Sequence, residues 1–184
     1  MAWVDEGAST SAQLWSRESQ DELHHTVTCD SAVLALAVDN VRGRMLVGTQ
    51  QGDIRVWNLH TFQVQADLVG HHSSVLSLVL SDDYVFSASS DSTVRVWDAE
   101  TLQPRACVFP ASTNTGDIYS LAWDAEAQVL YFGCQDTSIE WISITPERLQ
   151  EAACEPLWPP AASYDKFFAS RPRSLLPRPS ATAM

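Results

Sequence analysis

His71, Ser87 and Asp91 are side chains whose types together can supply a base, a nucleophile and an orienting acid. The chemistry they bring to mind is attack of a serine hydroxyl on an acyl group, but such a triad is defined by geometry and not by residue type. Their setting points away from hydrolysis. His71 follows Gly70 at the entrance to one strand signal, Asp91 lies in the turn Ser90-Asp91-Ser92 between two others, and Trp97 stands on the strand beyond. Metal chemistry has less support. His24-His25 and His71-His72 are adjacent pairs, and neighbours on a strand point to opposite faces. Cys29, Cys107, Cys134 and Cys154 are scattered, without the paired spacing of a zinc or redox site. No His-Glu-x-x-His, Cys-x-x-Cys or glycine-rich phosphate loop occurs. No catalytic, cofactor or metal site is therefore expected.

The elements that must carry these residues form a repeat. Gly48-Thr49-Gln50-Gln51-Gly52-Asp53-Ile54-Arg55-Val56-Trp57-Asn58 is echoed by the run from Val85 to Asp98, and again by Gly133 to Trp141. Trp57 and Trp97 are 40 residues apart, and Asp91 and Asp136 are 45 apart. Self-similarity at this period marks propeller blades, and the second copy resembles a WD40 repeat. The expected fold is all-β, a partial β-propeller of about three WD40-like blades at 27–69, 70–110 and 111–145. The resemblance implies that His71, Ser87, Asp91 and Trp97 form a buried structural tetrad: the histidine bridges aspartate and serine, and the serine meets the indole N–H. Aligned on Trp57, blade one has Gln51 for the aspartate and Val47 for the serine. Blade three keeps Asp136, has Ile142 in place of Trp97, and puts Trp141 at the position of Val96. Only the second blade is expected to be tightly pinned.

Strand signals recur from Val33 to Ile144 with turn residues between them, four per blade in the first two and three in the last. Several are apolar at consecutive positions, as in sheets covered on both faces. Outside this body the composition changes. Residues 1–26 are polar and acidic and read as a structureless leader or a strap for the first blade, with Trp3 and Trp15 as candidate anchors. Seven of the nine prolines fall in 146–184, which reads as an extended linker or tail. Within it, Tyr164-Asp165-Lys166-Phe167-Phe168 suits either partner docking or covering the edge of blade three.

The 184 residues carry a net charge of −12, with a single lysine, Lys166. An acidic body repels phosphate backbones, so neither nucleic acid nor an anionic membrane surface is an expected partner. The N-terminus lacks a signal-peptide pattern, and the scattered thiols suit a reducing compartment. The expected location is the cytoplasm.

Residues 30 to about 172 further resemble the N-terminal region of a fungal family, the large subunit of the glutathione-degradation complex. The resemblance rests on Gly48 to Gly52, Gly116-Asp117-Ile118-Tyr119-Ser120, Gly133 to Trp141 and Lys166-Phe167-Phe168. It implies a WD propeller followed by a dinuclear zinc metallopeptidase domain, working with a glutamine-amidotransferase-like partner on the γ-glutamyl bond of glutathione. No metallopeptidase motif lies within these residues, and the chain reads as a fragment, a truncated gene product or an incomplete gene model of such a protein. Two functions are thus expected in order: a protein-interaction scaffold, whose partner is a protein or the missing propeller blades, and the non-catalytic N-terminal part of the peptidase subunit.

Overall fold

Short apolar runs punctuated by turn-forming residues fold here into successive antiparallel meanders. The computed structural model describes residues 11–15, 23–108 and 116–151. Within them lie β1 (Ser11–Trp15), β2 (Leu23–Thr28), β3 (Val33–Asp39), β4 (Arg44–Thr49), β5 (Ile54–Asn58) and β6 (Val64–Leu68). β7 (Val75–Leu80), β8 (Tyr84–Ser89), β9 (Val94–Asp98) and β10 (Pro104–Val108) follow, then β11 (Ile118–Asp124), β12 (Val129–Cys134), β13 (Ile139–Ser143) and α1 (Pro146–Glu151). Strands β3 to β6 form one four-stranded sheet, β7 to β10 a second, and β11 to β13 a three-stranded third. The first strands of the three sheets lie side by side, β7 touching both β3 and β11. The result is a partial WD40-type propeller.

The hairpin between the second and third strands turns at the same place in every blade. Gly52, Ser92 and Thr137 occupy it with positive φ of 97°, 63° and 70°. Gly52 also has no room for a side chain, because a Cβ there would lie 2.8 Å from the His71 carbonyl oxygen. The tip of the first blade is thereby seated against the loop that carries His71. The next turn repeats too: Asn58 Oδ1 accepts the His60 and Thr61 N–H groups, and Asp98 Oδ1 those of Glu100 and Thr101.

Each blade carries apolar side chains on both faces, and where two blades adjoin they cover one another. Leu46, Ile54 and Val56 of the first sheet pack with Leu78, Val85 and Trp97 of the second. Phe86, Val94 and Val96, on the other face of the second sheet, pack with Leu130, Phe132 and Ile142 of the third. All six residues of β4 are buried, as expected of a strand covered on both sides. Arg44 crosses the first junction. It pairs with Asp39 at 3.0 Å, both almost fully buried, and donates to the Ala99 carbonyl of the next blade.

Two expectations are corrected. The stretch 1–26, expected to lack structure, contains β1 and most of β2, which pair antiparallel. The gain comes from Val27 and Cys29, which close over Met45, Val47 and Trp57. The proline-rich stretch from 146 begins with a short helix and not an extended linker. Pro146 stands at its first position, where a missing N–H costs nothing, Thr145 Oγ1 accepts the Arg148 N–H, and Leu149 is buried against the second and third blades. Trp3, Cys154 and the aromatic cluster 164–168 lie outside the described residues.

Phe86 fills the junction between the second and third blades, with its ring 5.0 Å from that of Trp123. Phe86→Ala is expected to cost about 3–5 kcal/mol of stability, read as a lower urea midpoint with the native circular dichroism retained in water.

Candidate functional site

His71, Ser87, Asp91 and Trp97 meet in the second blade. His71 lies in the loop between β6 and β7, Ser87 in mid-β8, Asp91 in the β8–β9 hairpin and Trp97 on β9. His71 Nδ1 is 3.0 Å from Asp91 Oδ2, and His71 Nε2 is 2.8 Å from Ser87 Oγ. The Trp97 indole N–H donates to Ser87 Oγ at 2.9 Å. The ends fix the sense of the chain, since an indole only donates and a carboxylate only accepts. With a neutral imidazole, Nδ1–H donates to Asp91 and Nε2 accepts the Ser87 hydroxyl.

Asp91 is the hub. Oδ2 also accepts the His72 backbone N–H at 2.9 Å, and Oδ1 accepts the Thr93 N–H at 3.0 Å and the Thr93 hydroxyl at 2.6 Å. Burial alone would raise its pKa, but the hydrogen bonds from His71, Thr93 and the His72 backbone hold it down to about 2. Ser89 braces the turn by accepting the Asp91 N–H and donating to the Ser73 carbonyl.

This arrangement does not suit attack on a substrate. Ser87 is fully buried, its oxygen already accepts the indole proton, and its own proton is directed at the imidazole. Among the described residues, no group of three or more His, Cys, Asp or Glu side chains is placed to hold a metal ion. In the second histidine pair His71 is buried, while His72 points out to solvent; the side chains of His24 and His25 lie outside the described residues.

Residues 62–98 match the family described as "WD domain, G-beta repeat". This segment is similar to a WD repeat. The chain is 37% identical over 118 residues to zinc finger CCCH domain-containing protein 17 of Oryza sativa subsp. japonica, covering 62% of this chain and 26% of that protein. It is 28% identical over 171 residues to the probable di- and tripeptidase DUG2 of Saccharomyces cerevisiae, covering 81% of this chain and 20% of that protein. It is 35% identical over 86 residues to the human kinesin-like protein KIF21A, covering 47% of this chain and 5% of that protein. The chain thus spans about a quarter or less of the length of these relatives.

Strand register shows how the other blades differ from the second at the tetrad positions. Val47 faces Arg55 as Ser87 faces Arg95, and Met45 faces Trp57 as Val85 faces Trp97. Trp57 therefore has no serine to meet, and its buried Nε1 has no hydrogen-bond partner. Cys29, four residues before β3 as His71 is four before β7, fills the histidine's place in an apolar cluster with Val27, Met45, Val47 and Trp57. Burial raises its thiol pKa, against the pull of Arg55. A small cavity of about 10 Å³ lies in the first blade, lined by Ser31, Thr49, Gln51 and Asp53 among others, with the Ser31 and Thr49 hydroxyls unpartnered. In the third blade Phe132 and Ile142 take the serine and tryptophan positions and are buried, while Asp136 bonds only locally, to Ser138.

Sequence reading missed Thr93, Ser89 and the Arg44–Asp39 pair. Thr93, two residues after Asp91, had a local signal, because short polar side chains commonly bond at that spacing. Asp39 and Arg44, opposite charges five residues apart, had a local signal as well, but the Arg44 contact to Ala99 had none, since that carbonyl belongs to another blade.

Two outcomes are expected. Ser87→Ala strips the indole N–H and the imidazole of their shared partner, and is expected to cost about 1–3 kcal/mol in chemical denaturation. Asp91 titrates near 3.8 when unfolded and about 2 when folded, so its contribution is complete above pH 4 and lost as pH falls from about 4 to 2. The loss amounts to about 2 kcal/mol, and Asp91→Asn is expected to remove that part of the acid slope in a pH series of urea melts.

Proposed function

We propose that the chain is a protein-interaction scaffold with no catalytic site of its own, presenting loops and blade edges to a protein partner. One observation carries this: the histidine, serine and aspartate that might have done chemistry are spent on one another and on Trp97 inside the second blade. A buried polar network of this kind fixes a loop in place, which suits a surface that must keep its shape. The acidic composition argues for a protein partner over a nucleic acid. The cytoplasm is the compartment that suits buried thiols such as Cys29 and Cys134.

A second function is favoured by the likeness across 81% of the chain to the yeast protein named as a probable di- and tripeptidase. Here the chain is the non-catalytic N-terminal part of a subunit of a glutathione-degrading metallopeptidase complex. Its partner is a glutamine-amidotransferase-like subunit. The peptidase chemistry belongs to residues outside this chain.

The purified chain is expected to release no glutamate from glutathione, with or without added zinc, in an amino-acid assay. Titrated with a glutamine-amidotransferase-like subunit in a calorimeter, it is expected to bind saturably, with a Kd in about the micromolar range. A flat titration would remove the second function and leave the general scaffold. Glutamate release that Ser87→Ala abolishes, with the fold intact, would remove both.

A further inference from the structure

The two junctions inside the molecule are built to one plan. At the first, the cross-strand pair Leu46 and Val56 meets Leu78; at the second, the pair Phe86 and Val96 meets Leu121. In register, each pair occupies the same place on the second and third strands of its blade, and each leucine the same place on the first strand of the next. Leu78 lies opposite Ser87 and Leu121 opposite Phe132.

The third blade carries the next pair. Tyr131 and Trp141 face each other across β12 and β13 where Phe86 and Val96 do in the blade before. Trp141 is 41% exposed and its neighbour Ile139 76%, whereas Val96 and Val94, at the matching positions, are 0%. The first blade carries the matching leucine. Leu36 lies opposite Val47 as Leu78 lies opposite Ser87, and with Leu34 and Val38 it makes an exposed aliphatic row along β3. Val27 and Cys29 cover the outer part of that face, over Met45 and Trp57, and leave the inner strand open.

We infer that a second copy of this chain docks here, the Tyr131–Trp141 face of one copy on the Leu34–Leu36–Val38 row of the other. The molecule holds both halves of a junction it already makes twice, one half at each end. Such a head-to-tail contact closes when the rotation allows. Two arcs of three blades make six, within the four to eight of closed propellers, so the product is a closed pair with two equivalent new junctions. This goes beyond the scaffold proposal, which concerns loops and partners of other sequence, and either stands if the other fails.

The test uses light scattering on the full chain at about ten micromolar, with Trp141→Glu and Leu36→Glu as variants. Both substitutions fall on exposed side chains, and circular dichroism verifies that each variant keeps the wild-type spectrum. The wild type is expected at twice the chain mass of 20.3 kDa and each variant alone at the monomer mass. An equimolar mixture of the two is expected to recover pairs, because one intact junction remains between unlike copies. A monomeric wild type, a dimer that survives either substitution, or a mixture that stays monomeric would overturn the inference. Should either glutamate variant lose the native spectrum, Trp141→Ser and Leu36→Ser replace them, with the same outcomes read the same way.

Discussion

Strands that are apolar on both sides cannot stand in water, and this constraint organises the whole molecule. Leu46 and Val47 are consecutive on β4, point to opposite faces and are both fully buried. A sheet made of such strands needs cover on each face, and the nearest source of cover is another sheet of the same kind. The repeat in the sequence is therefore also a repeat of mutual need. Among the described residues, only the middle blade has a full sheet on both sides.

Polar groups then have to be managed within that stack. In the second blade the loop bearing His71 is tied through Ser87 to Trp97, so a connection between sheets is fastened to the interior of one of them. In the first blade the same position is solved apolarly by Cys29 and Val47, at the expense of a stranded indole N–H on Trp57. In the third, Phe132 and Ile142 avoid the problem by removing the polar groups altogether. Three blades with one backbone plan thus carry three different interiors. A buried donor without a partner costs about 1–3 kcal/mol, which makes the first blade's solution the least favourable of the three.

Much of this was legible in the chain, because the information was local. Strands β3 to β13 fall between Val33 and Ile144, four in each of the first two blades and three in the last, as the apolar runs and turn residues indicated. The four side chains His71, Ser87, Asp91 and Trp97 were legible together because one repeat spells them in order. What escaped notice depended on distant partners. Residues 23–28 look polar alone, and become a strand because Val27 finds Met45 and Trp57 uncovered. Proline hid α1, although its first position tolerates one. The Arg44 contact to Ala99 spans 55 residues and leaves no trace in either segment.

The unequal fastening of the blades bears on how the molecule opens. Free energies of local opening range from near zero at fraying edges to the global value in a well-covered core. The amides of β8 and β9 sit in the sheet that is covered on both faces and cross-tied by the Asp91 hub. Their exchange with solvent waits on the whole arc coming apart. Those of β13, whose outer edge carries no strand among the described residues, need only a local breath. The chain thus carries a gradient of persistence, highest in the middle blade and falling toward the third blade's outer edge, so that edge can rearrange while the centre keeps its shape.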